Sequence, residues 1–153
     1  MDFNTQALDE RLLTHGSGSS RGYNDREKTL FIWQGVIMYL SGQGVDNTLA
    51  FITNHSGPGS AVIFDYFYNE TLRDPSRPEV KMMQRTARVT SEGVLFGIDQ
   101  GQIESFLTQR GYREVCNTTP KDLKRLYFTG PNAGRMLPSG CDIVSVRVNK
   151  AAD

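Results

Sequence analysis

The sequence predicts an α/β fold built on a mostly parallel sheet of about four strands, and three observations carry that prediction. "TLFIW" at residues 29 to 33 and "AVIFDYF" from Ala61 are continuous apolar runs, the pattern of strands buried on both faces of a parallel sheet. Between them Val45, Leu49 and Ile52 recur at helical spacing, which predicts a helix over roughly 44 to 54 and makes the unit a strand, helix, strand crossover. The last run, "CDIVSVRVN", alternates after Ile143 and Val144, which suggests an antiparallel partner or a sheet edge.

Taken in order, "MDFNTQALDERLLTHG" places Leu8, Leu12 and Leu13 on one face of a short helix that Gly16 would end. Residues 16–28 form a polar, glycine-rich connector. Gly16, Gly18 and Gly22 nearly spell a dinucleotide fingerprint, but a phosphate-cradling loop leaves a strand and opens a helix, and this one does the reverse. After "TLFIW" the pair Gln34 and Gly35 interrupts an otherwise apolar decade, "FIWQGVIMYL", where a central strand has no local use for it. "HSGPGS" turns the chain into the second strand. Residues 69–98 break the rhythm: Pro75 and Pro78 mark a loop, and Val80, Met83 and Ala87 suggest a short amphipathic helix in a lid-like or substrate-side excursion, or a plain surface insertion. Asp99, answered by Gln102, predicts a capped helix carrying Ile103, Phe106 and Leu107 and ended by Gly111. "YREVC" follows as a strand. Thr119, Pro120 and Asp122 then repeat the capping punctuation ahead of "LKRLYF".

Composition narrows the function classes. With 153 residues the chain holds one core, and 17 basic residues against 17 acidic ones give no cationic excess for general nucleic-acid binding. No apolar run approaches the length of a membrane span, and no secretory-type start is visible, so a cytoplasmic protein is expected. Cys116 and Cys141 lack the paired spacing of a zinc site and read as two reduced thiols. Neither His15 nor His55 stands in an arrangement that suggests a general base or metal ligand. Arg73, Arg77, Lys81, Arg85 and Arg88 are interspersed with Glu70, Asp74, Glu79 and Glu92, the pattern of a solvated mixed face rather than an acid-binding patch.

The order "DF", "TLFIWQGVIMYL", "GSAVIFDY" and "LFGID" before a helix ending in "RGY" resembles the C-terminal half of the leucine carboxyl methyltransferase family and its prokaryotic S-adenosylmethionine-dependent relatives. The resemblance runs over nearly the whole chain. Its most specific pieces are "QGVIMYL", where family members carry "EGVxMYL", and "GSAVIFDY". It implies a Rossmann-like class I methyltransferase sheet in the order 3-2-1-4-5-7-6 with strand 7 antiparallel. Residues 29 to 33 then correspond to strand 4, 61 to 66 to strand 5, 112 to 117 to strand 6 and 141 to 149 to strand 7.

The same resemblance implies the candidate site. Asp2 and Phe3 match the acidic and apolar pair expected to hold the adenine of S-adenosylmethionine. Gln34 stands where the family usually has glutamate, keeping an acceptor oxygen without the charge. Gly35 would let the backbone approach the ligand closely, and Tyr39 would cover it or serve as core. No catalytic residue is assigned, because methyl transfer requires orientation rather than an enzyme nucleophile.

The family's glycine-rich turn after strand 1 and the acidic residue ending strand 2 lie upstream of "DF", so this chain is expected to be a single partial methyltransferase domain. Its residues 29 to 33 should form an unblunted sheet edge. Two readings follow. In one, the chain is part of a methyltransferase, an O-methyltransferase by family analogy, acting on a small-molecule or carboxylate acceptor with its first half supplied by another chain. In the other, it is a non-catalytic truncated remnant that self-associates as a dimer or larger homo-oligomer.

Overall fold

The computed structural model describes Leu8, Leu12, Leu13, residues 23 to 90 and residues 93 to 150, with the side chains of 86 to 90 left aside. Asp2, Phe3, His15 and the glycines at 16, 18 and 22 lie outside the described residues.

Strands β1 (Leu30–Trp33), β2 (Ala61–Phe67), β3 (Tyr112–Thr118) and β4 (Cys141–Val148) form one sheet in the order β1-β2-β4-β3. β1 pairs with β2 in parallel, from Leu30 opposite Ala61 to Trp33 opposite Phe64. β4 runs antiparallel to both β2 and β3, so three strands share a direction and one is reversed between them. This is the 4-5-7-6 segment of the implied order. The β3 to β4 ladder slips between Arg113 and Cys116, and Glu114 sits at that bulge with φ +54°, a conformation non-glycine residues rarely adopt. Arg147 Nε donates to Glu114 Oε2 at 2.8 Å and holds the bulge from the neighbouring strand.

Helix α1 (Gly42–Asn54) begins where Ser41 Oγ accepts the Gly44 N–H at 3.1 Å, two residues earlier than its apolar spacing alone predicts. Its Val45, Leu49 and Ile52 pack on the sheet face made by Trp33, Val62, Phe64, Val144, Val146 and Val148, all buried. Each such side chain contributes about 1.5–3 kcal/mol through burial. Leu8, Leu12 and Leu13 lie half-buried against the same core. Tyr112 closes its far end, donating its hydroxyl to the Leu49 carbonyl at 2.9 Å.

The excursion after β2 holds two helices, α2 (Asn69–Leu72) and α3 (Pro78–Thr90), the second longer than the spacing of Val80, Met83 and Ala87 suggests. It is tied back at its end, where the Leu95 and Phe96 amides donate to the Met38 carbonyl at 2.8 and 3.2 Å. Arg77 meets Asp74 at 3.4 Å and Glu79 at 3.7 Å, an internally neutralised face.

Helix α4 (Ile103–Thr108) corrects one expectation. Its N-cap is Gln102, which makes no side-chain cap bond, while Asp99 accepts from Asn69 Nδ2 at 2.6 Å through its side chain and from the Gln102 N–H at 3.0 Å through its carbonyl. The capping pair is diverted because Asn69, thirty residues earlier, offers the carboxylate a better-placed donor. Helix α5 (Pro120–Tyr127) forms its box as predicted: Thr119 Oγ1 accepts the Asp122 N–H and Asp122 Oδ2 accepts the Thr119 N–H, both at 3.3 Å.

A second correction concerns β1. Its apolar run predicts burial on both faces, yet Leu30 is 58% and Ile32 72% exposed. β1 is the edge of the described sheet, and the face opposite α1 is covered only in part, by α5 and the loop before β4.

Candidate functional site

The decade that interrupts itself resolves into strand, turn and a short 3₁₀ segment at Ile37–Tyr39. Gly35 has φ +68°, which explains the glycine: an L side chain there would be strained. No atom lies within 4 Å of where a Cβ would stand, so the backbone is also open to close approach. Its N–H is not free for a ligand, however, because Asp65 Oδ1 on β2 accepts it at 2.6 Å. Gln34 is exposed beside it, at the carboxyl end of β1. Tyr39 is half-buried in the turn beyond, while its neighbours Ile37, Met38 and Leu40 are buried.

Open α/β sheets bind ligands outside the carboxyl ends of their strands. A cavity of about 300 Å³ lies there, on the sheet face opposite α1. Ile32, Ile63 and Ile143 form its floor, and Leu123 of α5 and Pro138 form its wall. Gln34, Asp65 and Cys141 bring the polar atoms. Burial, reinforced by the Asp65, Asp142 and Glu79 carboxylates, pushes the Cys141 thiol up to about 12, so it stays protonated and is no nucleophile at neutral pH.

Sequence reasoning missed Asp65. The signal was a lone charge near the end of "AVIFDYF", where a buried strand should stay apolar. It also missed Trp33, whose buried indole Nε1 has no hydrogen-bond partner among the described residues, and which meets Phe64 edge-on at 5.8 Å between ring centroids. A buried donor without an acceptor is costly, about 1–3 kcal/mol, and here it stands one residue before Gln34. The open space over Gly35 and the exposed Gln34 beside it are what the described residues would offer a nucleoside, on one side only.

A second polar cluster ties the sheet together behind the crevice. Asp142 is fully buried and its Oδ2 accepts from Tyr68 at 2.7 Å and from Asn117 Nδ2 at 2.6 Å, while Tyr66 donates to Asn117 Oδ1 at 3.3 Å. Burial first, then the neighbouring Asp142, raises both tyrosines above their ordinary range, so they serve as donors rather than bases. His55 caps α1 on the opposite side of the molecule's chemistry, stacked on Phe51 at 5.1 Å and 4.0 Å from Asp25. Cys116 and Cys141 are both free. Among the described residues no helix is long and apolar enough to cross a membrane, and no group of three or more His, Cys, Asp or Glu side chains could hold a metal ion.

Comparison with known proteins bears on the fold. Residues 1–53 match the family model of leucine carboxyl methyltransferase. No curated protein sequence matches the chain. Among solved structures, a Nostoc punctiforme protein provisionally assigned as an O-methyltransferase superposes with a TM-score of 0.50 at 12% identity, covering 82% of this chain and 33% of that one. An S-adenosylmethionine-dependent methyltransferase of Thermotoga maritima gives 0.49 at 9% identity, over 84% of this chain and 59% of that one. Human N-acetylserotonin methyltransferase, solved with S-adenosylmethionine, gives 0.46 at 14% identity, over 79% and 29%. The chain thus spans less than two thirds of the length of these structures. The chain is similar to the leucine carboxyl methyltransferase family over residues 1–53, and its sheet has a fold similar to that of solved methyltransferases.

Proposed function

We propose that the chain is the C-terminal portion of an S-adenosylmethionine-dependent methyltransferase, an O-methyltransferase by analogy with the family. The observation that carries this reading is the sheet order with a single reversed strand between β2 and β3, joined to the family match over residues 1–53. Asp2 and Phe3 would meet the adenine, and Gln34, Gly35 and Tyr39 would form the near wall of the cofactor site. Catalysis would be orientation of a small-molecule or carboxylate acceptor in line with the methyl group. Residues 69 to 98, hydrogen-bonded to the turn after β1 through Met38, would wall the acceptor side, and 16 to 28 would be a plain connector. The rest of the cofactor cradle would come from strands placed beside β1, in a second chain carrying the first half or in a homo-oligomer. Two free thiols fit a reducing, cytoplasmic compartment.

A second reading, a self-associating remnant without cofactor affinity, is favoured by one observation: Asp65 already occupies the Gly35 amide. Titration of S-adenosylmethionine into the chain, followed by heat and by the amide resonances of Gln34 and Gly35, separates the two. A Kd tighter than about 100 µM, roughly 5.5 kcal/mol, with shifts at both residues supports the enzyme. No heat and unmoved resonances would leave the remnant, or an enzyme that binds the cofactor only once a second chain completes the cradle.

A further inference from the structure

We propose that the crevice between β1, β2 and α5 binds a compact apolar molecule bearing an ammonium group, with the apolar body on the isoleucine floor and the cation at Asp65. This goes beyond the functional reading: the crevice shares Gln34 with the proposed cofactor wall, and none of its lining residues comes from 69 to 98, the proposed acceptor side. The floor of Ile32, Ile63 and Ile143 is apolar, and a cavity of about 300 Å³ lies at the small end of ligand pockets, room for one ring and a short arm. Charge selects the class. Asp65 is the sole charged side chain among the described lining residues, and no Lys, Arg or His shares the crevice. Only one of its oxygens is engaged by Gly35, which leaves the other to accept from a ligand. A carboxylate-bearing ligand would face this anion with no counter-charge, whereas an ammonium would make a charge-assisted hydrogen bond. Gln34 adds a neutral amide at the same rim and disturbs neither preference. A lone carboxylate does not make a metal site, and the protonated Cys141 beside it adds no competing anion.

Three probes that share a phenylethyl body and differ in the polar end test this without cofactor, so that failure here leaves the S-adenosylmethionine titration untouched: 2-phenylethylamine, 2-phenylethanol and 3-phenylpropionate. Each is titrated into the chain at neutral pH, read by amide shifts at Gln34, Ile63 and Leu123 and by the fluorescence of Trp33, the single tryptophan. The amine should bind at least about tenfold more tightly than the alcohol, and the carboxylate most weakly. Asp65→Asn, whose amide oxygen can still accept from Gly35, should erase the preference for amine over alcohol while sparing the alcohol. Ile32→Lys, at a position exposed enough to tolerate it, should turn the preference toward the carboxylate. Equal binding of amine and alcohol, an undiminished amine preference in both variants, or no binding of any probe would overturn the proposal.

Discussion

Cys141 and Cys116 lie on the same sheet but in different chemical situations, one half-buried near three carboxylates and the other exposed. Iodoacetamide at pH 8 should therefore alkylate Cys116 and spare Cys141, as read by peptide mass spectrometry, and equal labelling of the folded chain would contradict the burial described. The linkage has a definite sign. Because folding raises the Cys141 value from 9.0 to about 12, its contribution is fully present below pH 9 and is lost as the pH climbs toward 12. At this scale the sequence was half legible. Gly35 declared itself because a bare residue inside an apolar decade has few reasons to exist, and its φ of +68° supplies one. Asp65 did not, since its meaning depends on an amide thirty residues earlier that only the parallel pairing of β1 and β2 brings within reach. Asp2 and Phe3 lie outside the described residues.

Among the elements, α5 and α4 make an instructive pair, because both present an acceptor residue answered three positions later. In α5 the box closes locally, and Asp122 is held below the ordinary carboxylate range by its bonds to Thr119, support that is lost as pH falls through its folded value. Thr119→Ala should accordingly cost about 1 kcal/mol in urea denaturation and fray the helix that walls the crevice. A change below a few tenths would show that the cap carries nothing. In α4 the same punctuation fails, since the Asp99 side chain is taken by Asn69 from a distant segment. Local spacing could not reveal that competition. Strands and α1 were legible because their apolar periodicity is strong, whereas the exposed face of β1 was not, since an apolar run reads the same whether its second face is covered or open.

For the whole molecule, the exposed and unbroken edge of β1 governs behaviour in solution. Leu30 and Ile32 present apolar surface there with no proline or charge within the strand to deter pairing. Light scattering at micromolar concentration should report an assembly larger than one chain, and Leu30→Lys should shift it toward a single copy. A wild-type chain that stays monomeric would remove self-association from the account.

The placement of β4 bears on how the protein is made. This strand comes last in sequence yet lies between β2 and β3, so β3 has no neighbour in the sheet until nearly all of the described chain has left the ribosome. Closing it requires contacts of long sequence separation, such as Ala61 with Arg147, which slows folding and prolongs the exposure of half-made ladders. A nascent chain of this kind holds only the β1 and β2 pair until β4 emerges, and a premature stop near Cys141 would leave β3 with no neighbour and β2 open along one side.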